Sequence, residues 1–189
     1  MEALLVSTFA VAIAEIGDKT QLLALILAAR FRRPWPIVAG IFVATIANHA
    51  VAGAVGSWVA EQIGEDWLRR VLGISFLAVA AWTLVPDKMD DAEAEPKTHY
   101  GAFIATVVAF FLAEIGDKTQ IATVALAARF DSLLAVVTGT TLGMMLANVP
   151  AVFIGNRLGN SAFALGWVRY VAAALFAVLG IVALFDVRF

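Results

Sequence analysis

The octapeptide Ala14-Glu15-Ile16-Gly17-Asp18-Lys19-Thr20-Gln21 recurs letter for letter as Ala113-Glu114-Ile115-Gly116-Asp117-Lys118-Thr119-Gln120, 99 residues further on. The same offset carries Ala28-Ala29-Arg30-Phe31 onto Ala127-Ala128-Arg129-Phe130, and Gly40 onto Gly139. At an offset of 100, Ala47-Asn48 matches Ala147-Asn148, and Trp67, Arg69, Val71 and Phe76 match Trp167, Arg169, Val171 and Phe176. The chain is a duplication. Its charged octapeptides lie in apolar surroundings: the 189 residues are 62% hydrophobic and 15% charged, with a mean hydropathy of +0.90. A soluble domain is about 45–50% apolar and about 25% charged. The chain is therefore read as an all-α integral membrane protein.

Six apolar segments, Ala3–Ala29, Pro36–Ala60, Trp67–Val85, Gly101–Ala128, Leu133–Asn156 and Phe163–Phe185, are separated by polar or Gly- and Pro-containing breaks. They lack the alternation of a barrel strand, so helices are expected. The start Met1-Glu2-Ala3 has no cationic region and the first stretch is too long for a signal sequence, so it is expected to remain as a helix. The repeat unit is then three helices, residues 1–85 and 100–189, joined by an acidic linker, 86–99. An odd number of spans per unit makes the second unit enter from the opposite side. Two inverted three-helix repeats place a site at the midplane, on the repeat interface, and suit alternating access. With the N-terminus outside, the inner loops hold Arg30, Arg32, Arg33, Lys88, Lys97, Arg157 and Arg169, against Arg69, Arg70, Arg129 and Arg188 outside. The bias favours both termini outside the inner membrane and the linker in the cytoplasm.

Glu15, Asp18, Glu114 and Asp117 fall near the centres of the first and fourth segments. An acidic residue there costs at least about 2.5 kcal/mol and is a functional-site candidate by default. Glu15 and Asp18 share one helix face, roughly 4.5 Å apart along the axis. Gly17 and Gly116 allow either close helix contact or a break that exposes carbonyls. The four carboxylates, with Gln21 and Gln120 as amide-oxygen candidates, form an oxygen-only cage, which suits Mg²⁺, Ca²⁺ or Mn²⁺ rather than Zn²⁺ or Cu²⁺. Lys19 and Lys118 are charge-balancing: −4 from the carboxylates and +2 from the lysines leaves −2, matched by one divalent cation or two protons. Competition between the two gives antiport. Lys19 is also spaced to pair with Glu15 along one helix.

Weaker candidates surround this set. Thr20 and Thr119 either ligate or bond back to their helix. Asn48 and Asn148 either supply amide oxygens or bond between helices. His49 is either a proton relay or a packing histidine. Met144 and Met145 either soften the site towards Mn²⁺ or pack. Zero cysteines and two histidines exclude thiolate and multi-histidine metal sites, and a net charge of −2 gives no nucleic-acid surface. No cofactor is implied, and a single chain suffices for the site.

The doubled Glu-Ile-Gly-Asp-Lys-Thr resembles the E-x-G-D-[KR]-[ST] motifs of uncharacterised protein family 0016, in the calcium:cation antiporter 2 superfamily. That family includes bacterial manganese exporters and Golgi manganese/calcium transporters. The resemblance covers the whole chain. It implies export of Mn²⁺, or Ca²⁺, in exchange for protons, with Glu15, Asp18, Glu114 and Asp117 as cation ligands. Two other readings are an intramembrane aspartyl hydrolase using Asp18 and Asp117, and a passive cation channel.

Overall fold

The computed structural model describes residues 1–85, 101–158 and 168–185. Every regular element among them is a helix: α1 (Glu2–Glu15), α2 (Lys19–Phe31), α3 (Pro34–Gln62), α4 (Glu65–Thr83), α5 (Ala102–Glu114), α6 (Lys118–Arg129), α7 (Leu133–Leu158) and α8 (Val168–Phe185). The acidic linker 86–99, Trp167 and Arg188 lie outside the described residues.

The first and fourth apolar segments are not continuous helices. Each is split into two by its motif. Ile16 and Asp18 are extended, as are Ile115 and Asp117, and the glycines between them take φ +85° at Gly17 and +75° at Gly116. A residue with a Cβ pays about 1–2 kcal/mol in that left-handed region, so glycine makes the break affordable. Of the two roles open to these glycines, the break is the one realised. The half-helices have 14, 13, 13 and 12 residues. Each is roughly 18–21 Å long at 1.5 Å per residue, short of a hydrocarbon core of about 30 Å. α3, opened by Pro34 at its first turn, and residues Leu133–Arg157 of α7 are long and apolar enough to cross a membrane, with hydropathies of 1.8 and 1.5.

Burial is inverted relative to a water-soluble protein. Leu5, Phe9, Val51, Ile74, Leu112 and Leu146 are exposed, whereas Glu15, His49, Glu114 and Asn148 are fully buried. An apolar exterior of this extent is unfavourable in water and is what lipid requires.

Each long helix packs on the broken pair of the other half. α3 lies against α5 and α6, and α7 lies against α1 and α2. The contacts are exchanged in register. A Cβ on Gly40 would meet Thr106 and Phe103, and one on Gly139 would meet Ser7 and Leu4. Gly56 sits against Val124 and Ala127, and Gly155 against Leu25 and Ala28. Every member of the second set is the first set's partner shifted by 99. If residue i of one half meets j of the other, and j's mate meets i's mate, the halves are related by an approximate two-fold. At Gly40 the nearest atom stands 2.7 Å from the added Cβ, and at Gly139 2.6 Å, so these helices approach too closely for alanine. α4 packs on α8, where Phe76 stacks on Phe176 with ring centres 6.5 Å apart.

This register corrects one sequence match. Gly40/Gly139 and Gly56/Gly155 flank the middle of α3 and α7 at a constant offset of 99, so no residue is inserted between them. The structural mate of Asn148 is therefore His49, not Asn48, and the mate of Asn48 is Ala147. The offset of 100 holds only further along, at Phe76 and Phe176.

Candidate functional site

The two breaks bring two helix ends of opposite polarity to each motif. α1 and α5 end at Glu15 and Glu114, whose carboxylates sit at the negative, carbonyl-bearing terminus, an arrangement that calls for a cation. Asp18 and Asp117 open α2 and α6 at the positive terminus, which favours their charge. The kink is closed identically in both copies. The Asp18 N–H donates to Glu15 O and the Asp117 N–H to Glu114 O, both at 3.1 Å. The Gly17 N–H donates to Gln21 Oε1 at 2.9 Å, and the Gly116 N–H to Gln120 Oε1 at 2.8 Å. The two glutamine oxygens expected as ligands thus hold the break, keeping a second lone pair each. Gln21 also donates to Ala147 O, 3.0 Å away on α7.

The carboxylates converge unequally. One oxygen from each of Glu15, Asp18 and Asp117 lies within 4.8 Å of the other two, and all three residues are buried. This is the spacing at which three carboxylates can share a cation. Thr20 donates its hydroxyl to Glu15 Oε2 and stands 3.5 Å from Asp18 Oδ2. In the second copy, Thr119 instead stays with Asp117, its N–H and hydroxyl 3.4 and 3.2 Å from Oδ2. The threonines therefore face the carboxylates rather than bonding back to their helices.

Glu114 turns the other way. It is fully buried, and its Oε2 lies 3.4 Å from Nε2 of His49 on α3. Among the described residues, neither oxygen of Glu114 and neither ring nitrogen of His49 has a hydrogen-bond partner.

The lysines cross over. Lys118 is ion-paired with Asp18, and Lys19 stands 3.9 Å from Asp117. The expected Glu15–Lys19 pair along one helix fails because α1 ends at Glu15 and the i,i+4 geometry ends with it. The Lys118–Asp18 pair is almost completely buried, whereas 18% of the Lys19 side chain is exposed.

The remaining candidates split. Asn48 donates to Phe111 O at 3.2 Å, tying α3 to α5. Asn148 donates to Met144 O at 3.1 Å and Met144 Sδ at 2.8 Å, and among the described residues its buried Oδ1 has no hydrogen-bond partner. Met144 therefore serves Asn148, and the free amide oxygen is what remains for a ligand. Sequence reasoning missed the crossed lysines and the His49–Glu114 contact. The first had no local signal; the second was hidden by the wrong offset. A cleft of about 210 Å³ opens beside the first break, lined by Ile16, Gln21, Leu25, Ala147 and Pro150 among others. A larger one, about 520 Å³, includes Glu2, Glu65, Arg129 and Val182 in its lining.

Comparison with known proteins agrees with this chemistry. The family model described as divalent cation/proton antiporter GDT1 matches residues 3–91 and 102–188. The chain is 52% identical over 186 residues to a Vibrio cholerae protein named "Putative manganese exporter", covering 98% of this chain and 92% of that one. It is 30% identical over 178 residues to the GDT1-like protein sll0615 of Synechocystis, covering 82% and 85%. The GDT1-like protein 4 of Oryza sativa is 26% identical over 200 residues, covering 93% and 70%. No solved structure matches. The chain belongs to the GDT1 family of divalent cation/proton antiporters.

Proposed function

We propose that this protein exports Mn²⁺ in exchange for protons, by alternating access around the paired motifs. As a member of an antiporter family it is a transporter and not an enzyme, so the aspartyl-hydrolase reading falls away. The observation that carries the proposal is the buried cluster of Glu15, Asp18 and Asp117 at paired helix breaks inside an apolar bundle. Four motif carboxylates against two motif lysines leave a charge of −2, which one divalent cation or two protons neutralise. Loading one therefore favours release of the other. Mn²⁺ is preferred to Ca²⁺ because the Vibrio cholerae relative, matched over nearly its full length, carries a manganese exporter's name.

In this reading the repeats 1–85 and 100–189 cross the inner membrane six times in opposite senses, with α1–α2 and α5–α6 each forming one interrupted span. The larger cleft supports this. It gathers the start of α1 (Glu2), the start of α4 (Glu65), the end of α6 (Arg129) and the end region of α8 (Val182) at one face. Those four ends are expected on one side when the second half starts on the face opposite to the first. The linker 86–99 then lies in the cytoplasm and both termini outside, and protons from the acidic exterior displace the cation outward.

The test is reconstitution of the purified protein in vesicles with a pH-reporting dye inside. An imposed Mn²⁺ gradient is expected to drive proton movement in the opposite direction, and a pH gradient to drive Mn²⁺. Mn²⁺ flux that leaves internal pH unchanged would favour a channel and refute the exchange.

A further inference from the structure

We propose that His49 is a ligand of the transported cation: with Glu114 it forms a nitrogen–oxygen half-site that favours a first-row transition ion over Ca²⁺. The inference rests on the transport reading and adds to it a residue outside both motifs.

Three observations carry it. First, the contact has the wrong length for a hydrogen bond. A charge-assisted N–H···O bond is about 2.7–2.9 Å, whereas His49 Nε2 and Glu114 Oε2 stand 3.4 Å apart with no hydrogen-bond geometry. Two ligands roughly 2.2 Å from a shared ion, at ~90–105°, lie about 3.1–3.5 Å from each other. The pair is spaced as an edge of a coordination polyhedron. Second, all four atoms are buried and lack a hydrogen-bond partner among the described residues. Burial without a partner is costly for each of them, and an apolar side chain in place of His49 would have avoided it. A cation would take up His49 Nε2 and the Glu114 carboxylate together. Third, the two-fold puts Asn148 where His49 would be in the other half, and Asn148 offers only an oxygen. The first motif, Glu15 and Asp18, is therefore matched by an amide from α7, and the second, Glu114 and Asp117, by an imidazole from α3.

That difference has a chemical consequence. Ca²⁺ and Mg²⁺ are hard cations that take oxygen ligands. First-row transition ions accept imidazole nitrogen, with affinity rising from Mn²⁺ through Fe²⁺. One nitrogen among carboxylates penalises Ca²⁺ while leaving Mn²⁺ bound.

The experiment uses the full chain, purified without a histidine tag and loaded with Mn²⁺ alone. The sequence has two histidines, His49 and His99 in the linker, so His99→Asn leaves His49 as the sole imidazole source. Electron-spin-echo spectra of bound Mn²⁺ are expected to show a directly bound nitrogen in this background and to lose it in His49→Asn or His49→Gln. In vesicles, either variant is expected to lower the Mn²⁺-over-Ca²⁺ preference about tenfold. Mn²⁺ transport by wild-type protein with no bound nitrogen would overturn the ligand assignment and leave the transport reading standing. Bound nitrogen without Mn²⁺ flux would support the ligand and sink the transport reading. Because the spectrum of the His99→Asn protein decides the point by itself, a misfolded His49 variant does not shield the proposal.

Discussion

The two copies of the motif are identical in eight residues and nearly identical in backbone, yet their side chains keep different company. In the first, Thr20 donates to Glu15, and Glu15 joins Asp18 and Asp117. In the second, Thr119 remains on Asp117, and Glu114 faces His49. Asp18 is held by a buried lysine, and Asp117 by one that is partly exposed. Since the motifs are the same, the difference comes from what packs on them. α3 brings His49 to the second motif, where α7 brings Asn148 to the first. The motif supplies break and charge; the opposing helix decides which oxygens are drawn together.

The largest expected effect ignores the asymmetry. Asp18→Asn and Asp117→Asn each remove one charge from the three-carboxylate cluster. Each should cut Mn²⁺ transport to below roughly 1% of wild type, the factor of ~100 that about 2.7 kcal/mol of lost binding implies. Growth in Mn²⁺ of a host lacking its own exporter is the check. Full tolerance with either variant would remove that residue from the site.

Stability should separate the same two variants. Asp18→Asn removes a carboxylate that is ion-paired with the buried Lys118, and breaking an enclosed pair from one side costs about 3–5 kcal/mol. Asp117→Asn acts on Lys19, which is 3.9 Å away and less enclosed, so a smaller loss, about 1 kcal/mol, is expected. Unfolding in detergent measures both, and equal losses would break the comparison at its electrostatic half.

Much of this was legible in advance. The duplication and the helical class follow from composition and from the letter-for-letter repeat, which also singles out the four motif carboxylates. The break at Gly17 and Gly116 was open in the sequence because glycine permits two outcomes, close contact or positive φ, and only tertiary packing chooses. The crossed lysines were invisible for a similar reason. Helical spacing pointed Lys19 at Glu15, but the break that ends α1 removes that spacing. The offset of 100 at Asn48 and Asn148 arose from a chance match of residue types, and the glycine contacts that fix the true register are long-range. His49 was singled out as a residue, but its partner needed that register.

Replacing either motif glycine tests the part the copies share. Gly17→Ala and Gly116→Ala force a Cβ into φ +85° and +75°, which should cost about 1–2 kcal/mol in each copy. A Cβ on Gly116 meets no atom within 4 Å, so its cost is conformational rather than steric. Matching losses in thermal unfolding would uphold the backbone symmetry; a loss confined to one copy would show that only that break is needed.

The smallest expected difference probes how far the two-fold extends to the glutamines. Both Gln21 and Gln120 accept from the motif glycine, so the loss of that bond is common to both substitutions. Gln21 does one thing more: its Nε2 reaches Ala147 O on α7. The two-fold mate of Ala147 is Asn48, and among the described residues Gln120 makes no corresponding bond to it. A hydrogen bond between helices in a membrane is worth about 0.6 kcal/mol on average. Gln21→Leu should therefore lower stability by roughly that much more than Gln120→Leu, since only the first substitution unties α2 from α7. Equal losses would mean that Gln120 finds α3 in the folded protein, and that the asymmetry is confined to the carboxylates and to His49, which faces Glu114.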